Sequence, residues 1–382
     1  MGAGGEGLRG EGRLKVQKAA GAVRSFVYNQ LPGRVVFGAG SIEELPHEIE
    51  RLGAKRALVL ATPEQAGQAE DVARRLGERC AGVFARAVMH VPIEIARAAR
   101  DEAARVGADC AVAIGGGSTT GLGKAIALES PLPILAIPTT YAGSEMTPIW
   151  GITEGGIKKT GRDARVLPKT VIYDPTLTVG LPVGLSATSG MNAIAHAVEG
   201  LYAQDANPIN SMMAEEGIRA LAQGLPRARA NPGDLDARSD CLYGAWLCGA
   251  VLGAVGMALH HKLCHTLGGT WNLPHAETHT VVLPHAAAYN TPAVADAMAR
   301  VARALGLADR AAARTDGAAQ GLYDLARSLG APVALKAIGM PEGDLDRAAD
   351  LATTSPYWNP RPVERAAIRR LLDDAWHGRR PA

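Results

Sequence analysis

His196 and the six histidines between His260 and His285 make up seven of the ten in the chain. Asn192 and His196 stand four apart in Gly190-Met191-Asn192-Ala193-Ile194-Ala195-His196, and His261 and His265 stand four apart in His260-His261-Lys262-Leu263-Cys264-His265. On a helix, positions i and i+4 share a face. Two such faces, joined by His275 from Pro274-His275-Ala276-Glu277-Thr278-His279, would bring together the three or four N and O donors that a divalent ion takes. One of these donors, Asn192, is a neutral amide, so the set lacks the anion that helps offset a dication. The residue types describe a functional pocket and weigh against a tightly held ion within it. The thiol of Cys264, beside His265, reads as packing rather than as a nucleophile.

Two loops carry a second kind of chemistry. Ile114-Gly115-Gly116-Gly117-Ser118-Thr119-Thr120-Gly121 follows an apolar strand and opens a helix. Glycines there let the backbone approach a phosphate, and the first free amides of the helix point at the anion. Pro138-Thr139-Thr140-Tyr141-Ala142-Gly143-Ser144-Glu145-Met146-Thr147 is a hydroxyl-rich loop after another strand. Ligands of open α/β sheets gather at the carboxyl ends of strands, so both loops would face one nucleotide crevice. The dinucleotide fingerprint GxGxxG is absent from the first βα unit. Ala61-Thr62-Pro63-Glu64-Gln65 supplies no acid directly after its strand, so a 2′-phosphate would meet little repulsion and either NADH or NADPH is admitted.

The elements that must position these groups fall into two halves. Strand-like runs at 25–28, 34–37, 56–60, 82–84, 110–114 and 134–138 alternate with helical stretches, among them 41–52 and 93–106. This alternation predicts an α/β domain built on a parallel, doubly wound sheet. From about Ser186 the text turns Ala-, Leu- and Arg-rich with helical spacing, broken at Asn207-Pro208, Asn231-Pro232-Gly233, Pro274, Pro284, Pro332 and Pro341. We therefore expect a leader outside the fold over 1–23, a nucleotide-binding domain over 24–180 and an all-α domain with the histidines over 181–382.

Composition removes several classes of function. Forty Lys and Arg against 38 Asp and Glu leave a net charge of +2, so no basic face for nucleic acid is indicated. Apolar runs stop short of the roughly 18 residues that a membrane span needs. Cys80, Cys110, Cys241, Cys248 and Cys264 are odd in number and lack CxxC spacing, which fits reduced thiols in the cytoplasm rather than disulfides or a zinc knuckle.

Read in order, Ser25-Phe26-Val27-Tyr28-Asn29, GGGSTTGLGK from Gly115, PTTYAGSEMT from Pro138, SGMNAIAHAVE from Ser189, HHKLCHTL from His260 and Asn359-Pro360-Arg361-Pro362 resemble the iron-containing alcohol dehydrogenase superfamily. Within it they are similar to the maleylacetate reductase branch, over about residues 24 to 381. The resemblance implies the dehydroquinate synthase-like fold, with a cleft between the two domains. It also implies reduction of the C=C bond of maleylacetate to 3-oxoadipate by NADH or NADPH in aromatic breakdown, with chloromaleylacetates as further substrates and a homodimer as the assembly. It places the pyrophosphate at Gly116, Gly117 and Ser118, the remainder of the cofactor along Thr139, Thr140, Ser144 and Thr147, and Lys158 near the nicotinamide ribose with Leu177 beside it.

Metal-dependent relatives hold iron or zinc at the positions of Asn192, His196, His261 and His275, with an aspartate at the first. Many of them also have an aspartate at the position of Gly121. Both departures imply the reductase branch and no resident metal. His265 would then be proton donor or oxyanion partner, and His196, His261 and His275 the polar floor. Lys262, Arg162 and Lys169 are the cations on hand for the two carboxylates of the substrate. The rival readings are a metal-dependent alcohol or glycerol dehydrogenase of the same fold and a catalytically idle nucleotide-binding protein.

Overall fold

The structure is a computed structural model that describes residues 26, 28, 31, 33–307 and 317–382. The leader and half of the expected first strand lie outside these residues. The chain opens with β1 (Arg34–Phe37), a 3-10 turn and α1 (Leu45–Arg51), then β2 (Ala57–Leu60), α2 (Ala66–Leu76), β3 (Cys80–Phe84), α3 (Ile93–Arg105), β4 (Cys110–Gly115), α4 (Gly117–Ala127) and β5 (Ile134–Pro138). After these come β6 (Ile149–Glu154), β7 (Ile157–Arg162) and β8 (Thr170–Tyr173). Six strands pair in parallel in the order β1-β8-β5-β4-β2-β3.

Every residue of β2, β4 and β5 is buried, as a parallel sheet covered on both faces requires. Side chains alternate between the faces. Val59, Val112, Ile114 and Leu135 meet Leu45, Ile49 and Val72 of α1 and α2 on one face. Leu58, Leu60 and Ala111 meet Ala96, Ala99, Leu122 and Ile126 of α3 and α4 on the other. Burial of each large aliphatic side chain contributes about 1.5–3 kcal/mol.

Six runs read as strands and six pair in the sheet, but the sixth is β8, only four residues long and flanked by turns, while Phe26 and Tyr28 of the expected run at 25–28 lie in no strand. A second addition is the antiparallel hairpin of β6 and β7. Gly155 and Gly156 join its strands, with φ of 57° and 77°. Two consecutive left-handed residues form the tight turn whose twist suits a hairpin.

The remainder is helical: α5 (Val183–Leu201), α6 (Pro208–Ala230), α7 (Leu235–Ala254), α8 (Leu259–Trp271), α9 (His275–Asn290), α10 (Ala295–Ala304), α11 (Gly317–Ser328), α12 (Leu345–Thr353) and α13 (Arg365–His377). The expected break at Pro284 does not occur, since that residue lies inside α9. A proline there removes one helical hydrogen bond and costs about 3 kcal/mol. Buried side chains on both sides of Pro284, such as Val282, Leu283, Ala286 and Ala287, offset that cost.

In α5 every residue from Ser186 to Leu201 is buried, which makes it the central rod of this half. Among the described residues no single helix is long and apolar enough to cross a membrane. Helices α7 and α8 are bent by 95° where they join, and this bend turns the start of α8 towards α5.

Candidate active site

At the nucleotide end, the polypeptide leaves β2 and β4 in opposite directions across the sheet, so the loops that follow them meet at the topological switch point. Gly116 caps α4, which begins at Gly117 with no side-chain cap and no acidic residue in its first turn. Its leading amides are therefore free for an anion, with the helix dipole behind them. A Cβ on Gly116 would lie 3.0 Å from Thr140 Cγ2 and 3.1 Å from its Oγ1, so the hydroxyl-rich loop lies directly against the glycine turn. Thr139 N donates to Gly115 O at 2.9 Å. Gln65, from the loop after β2, donates from Nε2 to Thr139 Oγ1 at 2.8 Å. Leu177 sits in the turn after β8 and packs against the sheet core near Ile137 and Ile172.

Ser144 and Thr147 are placed by a buried lysine. Lys124 of α4 donates from Nζ to Ser144 O at 2.6 Å, to Thr147 O at 2.8 Å, to Thr147 Oγ1 at 3.0 Å and to Ile149 O at 2.8 Å. Burial pushes its ammonium down to about 7, and the neighbouring Glu145 works against that shift. The Thr147 hydroxyl is thus engaged within the protein. On the far side, α7 lies beneath the same loop: a Cβ on Gly249 would meet Gly143 O at 2.8 Å, and one on Gly253 would meet Met146 O at 2.6 Å.

The histidine floor is built from three helices. Asn192, His196 and Glu199 follow one another along α5, and all three are buried. Helix α8 has no side-chain cap of its own. Glu199 caps it from outside, accepting from Ala258 N at 2.8 Å and His260 N at 2.7 Å. The same carboxylate lies 2.7 Å from His261 Nδ1. An anion at a helix amino terminus is favourable, and here it also fixes the ring that carries His261 Nε2. The rings of His196 and His261 are 5.2 Å apart, those of His261 and His265 6.0 Å, and those of His275 and His279 4.4 Å.

Behind this layer His260 Nε2 and His279 Nδ1 share a hydrogen bond of 3.0 Å, with Cys264 Sγ 3.7 Å from the same His260 nitrogen. Burial, followed by Glu199, pushes that thiol well up, which suits packing and leaves no nucleophile.

Burial is the first cause of low basicity in the rings around His261. His196, His260 and His279 lie well below the ordinary range. His265 and His275 are pushed down to about 3, with neighbouring imidazoles and Lys158 adding to burial in both. His196, His260, His275 and His279 are therefore neutral at pH 7. Lys158 on β7, lowered by burial, lies close enough to depress both of those rings. It does the same to His90, a residue the sequence did not single out.

His90 and Val91 have φ of 66° and 47°, a left-handed pair that costs on the order of 1–3 kcal/mol per residue. Thr153 holds the pair by donating from N to Val91 O at 3.0 Å and from Oγ1 to His90 O at 2.9 Å. Val91 Cγ2 comes to 2.9 Å from where a Cβ on Gly121 would stand. A side chain at position 121 would crowd that methyl.

The cations divide differently from the expectation. Lys169 is exposed and precedes β8, at the amino end of the sheet, so it faces away from the cleft. The Arg162 guanidinium is bound to Gly253 O. Lys262 remains near, with its Nζ 5.9 Å from the ring of Tyr357. Tyr357 itself reaches the floor, its Oη 3.0 Å from His265 Nδ1.

Asn192 Oδ1, His196 Nδ1 and His261 Nε2 are buried without a protein partner; the amide oxygen accepts, and so does Nε2 of a neutral His261 whose Nδ1–H Glu199 engages. With His275 they form a set of neutral N and O atoms that includes no anionic ligand. Among the described residues, the only His, Cys, Asp and Glu donors whose atoms all approach within 4.8 Å are those of His260, Cys264 and His279. The nitrogens of His196, His261 and His275 stand further apart than that, and with Asn192 they form a set without a carboxylate.

This architecture, a nucleotide-type sheet facing a helical histidine floor, has counterparts among known proteins. Residues 32–175 match the family profile described as iron-containing alcohol dehydrogenase, and residues 186–376 match that of the C-terminal part of the Fe-containing alcohol dehydrogenase family. The chain belongs to the iron-containing alcohol dehydrogenase family. Within it, the chain groups with the maleylacetate reductases and is an oxidoreductase that uses a nicotinamide cofactor.

The maleylacetate reductase of Burkholderia cepacia is 64% identical over 360 residues, which span 94% of this chain and 100% of that protein. A crystal structure described as a putative alcohol dehydrogenase from Ralstonia eutropha JMP134 superposes with a TM-score of 0.92 at 67% identity, covering 94% of this chain and 100% of that one. The maleylacetate reductase from Rhizobium sp. strain MTP-10005 does so with a TM-score of 0.88 at 57% identity, covering 94% and 100%. The family name carries iron and so speaks for a metal; the ligand set at Asn192 speaks against one.

Proposed function

We propose that the protein reduces the C=C bond of maleylacetate to give 3-oxoadipate, using NADH or NADPH and no resident ion, and that chloromaleylacetates are also accepted. The observation that carries this reading is Asn192, a neutral amide where a carboxylate would repel the substrate's charge, beside the uncharged rings of His196 and His275. Such a floor suits a substrate that brings its own negative charge. The amino end of α4, with Gly116, Gly117 and Ser118, would hold the pyrophosphate, and the Thr139–Thr147 loop the remainder. Bound reduced nicotinamide supplies a hydride to the alkene carbon remote from the ketone.

Charge then moves to the ketone oxygen, and donors already in place stabilise it without reorganising. Asn192 Nδ2 and the N–H groups of His196 and His275 donate there, and His261, whose Nδ1–H Glu199 engages, lines the position without a proton on Nε2. His265 gives the proton to the carbon next to the ketone. Lys158 and Lys262 are the cations near enough to attract the carboxylates. The same reading takes the enzyme as a cytoplasmic homodimer with no nucleic-acid partner. Its five thiols are all free, in keeping with a reducing compartment.

A metal-dependent reading has one observation in its favour: a carboxylate such as Glu199 behind a histidine is also how metal ligands are oriented. One experiment separates the two. Purified protein, stripped with EDTA, is mixed with maleylacetate and NADH or NADPH, and cofactor oxidation is followed. Undiminished turnover is expected. Failure to oxidise either cofactor, or turnover that EDTA abolishes and iron or zinc restores, overturns the proposal.

A further inference from the structure

His265 is uncharged in its surroundings, and this raises a question about the proton it gives. A neutral imidazole that releases its Nε2 proton becomes an anion unless its other nitrogen gains a proton in the same event. Tyr357 stands at that other nitrogen, its Oη 3.0 Å from Nδ1, with the two rings 6.0 Å apart at 71°. If the phenol donates this hydrogen bond, His265 carries its own proton on Nε2. A cation also stands by: Lys262 Nζ is 5.9 Å from the ring centroid of Tyr357, where it lowers the cost of a transient phenolate.

The placement of Tyr357 is not loose, although no helix or strand carries it. It lies in the connection between α12 and α13, after Ser355, whose φ of 52° is left-handed. That connection is fastened to α9. Asn290 and Asn359 exchange amide hydrogen bonds of 2.9 and 2.8 Å. Arg361 donates to Tyr289 O at 2.7 Å and lies 4.2 Å over the Tyr289 ring. Tyr289 Oη donates to Pro362 O at 2.6 Å. These ties hold in place a phenol that is 39% exposed.

We propose that Tyr357 lends a proton to His265 during turnover, so that carbon is protonated by a two-proton relay rather than by the imidazole alone. The inference rests on the reaction proposed above. As the C–H bond forms at the carbon next to the ketone, the Nε2–H bond breaks. Nδ1–H forms as the phenol O–H breaks. After product leaves, a proton from water reaches Nε2 and the Nδ1 proton returns to the phenolate, which restores both groups. Per turnover the substrate gains one hydride from the reduced cofactor and one proton from water.

The test is Tyr357→Phe, which keeps the ring and removes the hydroxyl. We expect kcat to fall about 10- to 100-fold, in the range of lost proton-transfer assistance, with KM and NADH affinity within twofold of the parent. In mixtures of light and heavy water, the parent should show two protons in flight and the variant one. Added to His265→Ala, the change should slow turnover no further. A Tyr357→Phe enzyme with kcat within twofold of the parent and an unchanged proton inventory sinks the relay alone. A parent inactive on maleylacetate sinks both the relay and the reaction on which it rests.

Discussion

The carboxylate of Glu199 and Nδ1 of His261 meet at 2.7 Å in a place closed to solvent. This anion does two jobs, closing the amino end of α8 and holding a ring of the floor. Glu199→Gln keeps the shape but puts an amide N–H among the N–H groups of Ala258, His260 and His261. We expect kcat/KM to fall about 10- to 100-fold, as for other groups that orient a site histidine, and stability to drop by about 1–3 kcal/mol. Steady-state kinetics beside urea unfolding checks both, and parent-like values in each would show that the pair is idle.

Acid should unfold this protein early. His265 and His275 are pushed down to about 3 and His285 to about 4, while His196, His260 and His279 lie well below the usual value. Each is less basic folded than unfolded, so between about pH 6.5 and the folded value the unfolded chain binds more protons. Stability is therefore full above pH 6.5 and declines as pH falls, by up to about 1.4 kcal/mol per pH unit for each buried imidazole, with the solvent-exposed His265 contributing less. Urea midpoints at pH 7.5 and 5.5 measure the decline, and equal midpoints would contradict the burial of these rings.

Gly121→Asp should destabilise by about 1–3 kcal/mol through crowding, because its Cβ would come to 2.9 Å from Val91 Cγ2. Val91→Ala in the same chain removes that methyl and should restore most of the loss. Thermal melting of the single and double variants decides the point; a Gly121→Asp protein that melts like the parent rules the contact out.

Asn192→Asp returns an anion to the wall that holds His196 and His261. Zinc or iron affinity should rise by at least tenfold over the parent, as measured by competition with a chromogenic chelator. Equal uptake by the two proteins would remove the amide from the argument against a resident ion.

Much of this was legible in the sequence, for reasons that differ by element. Apolar runs such as Ala57–Leu60 and Cys110–Gly115 mark strands because both of their faces are covered. The i, i+4 pairs at Asn192/His196 and His261/His265 mark helix faces because both helices run unbroken through them. What escaped depends on distant partners. Tyr357 reaches His265 across 92 residues, and nothing near it in the chain announces that. Glu199 sat within a quoted motif, and its meaning required the turn between α7 and α8. The left-handed His90 and Val91 contradict local preference and are held by Thr153. Lys169 was a plausible cation until the direction of β8 placed it at the wrong end of the sheet.

The loop from Gly143 to Thr147 is bolted to α4 through Lys124 on one side and lies flush on the backbone of α7 at Gly249 and Gly253 on the other. It has no slack with which to adapt alone. Whatever seats itself against Ser144 must therefore load α7, and through the sharp corner at 255–258 the start of α8 with His261. A bulkier residue at Gly249 would lift this loop, and Ser144 with it, off the backbone of α7.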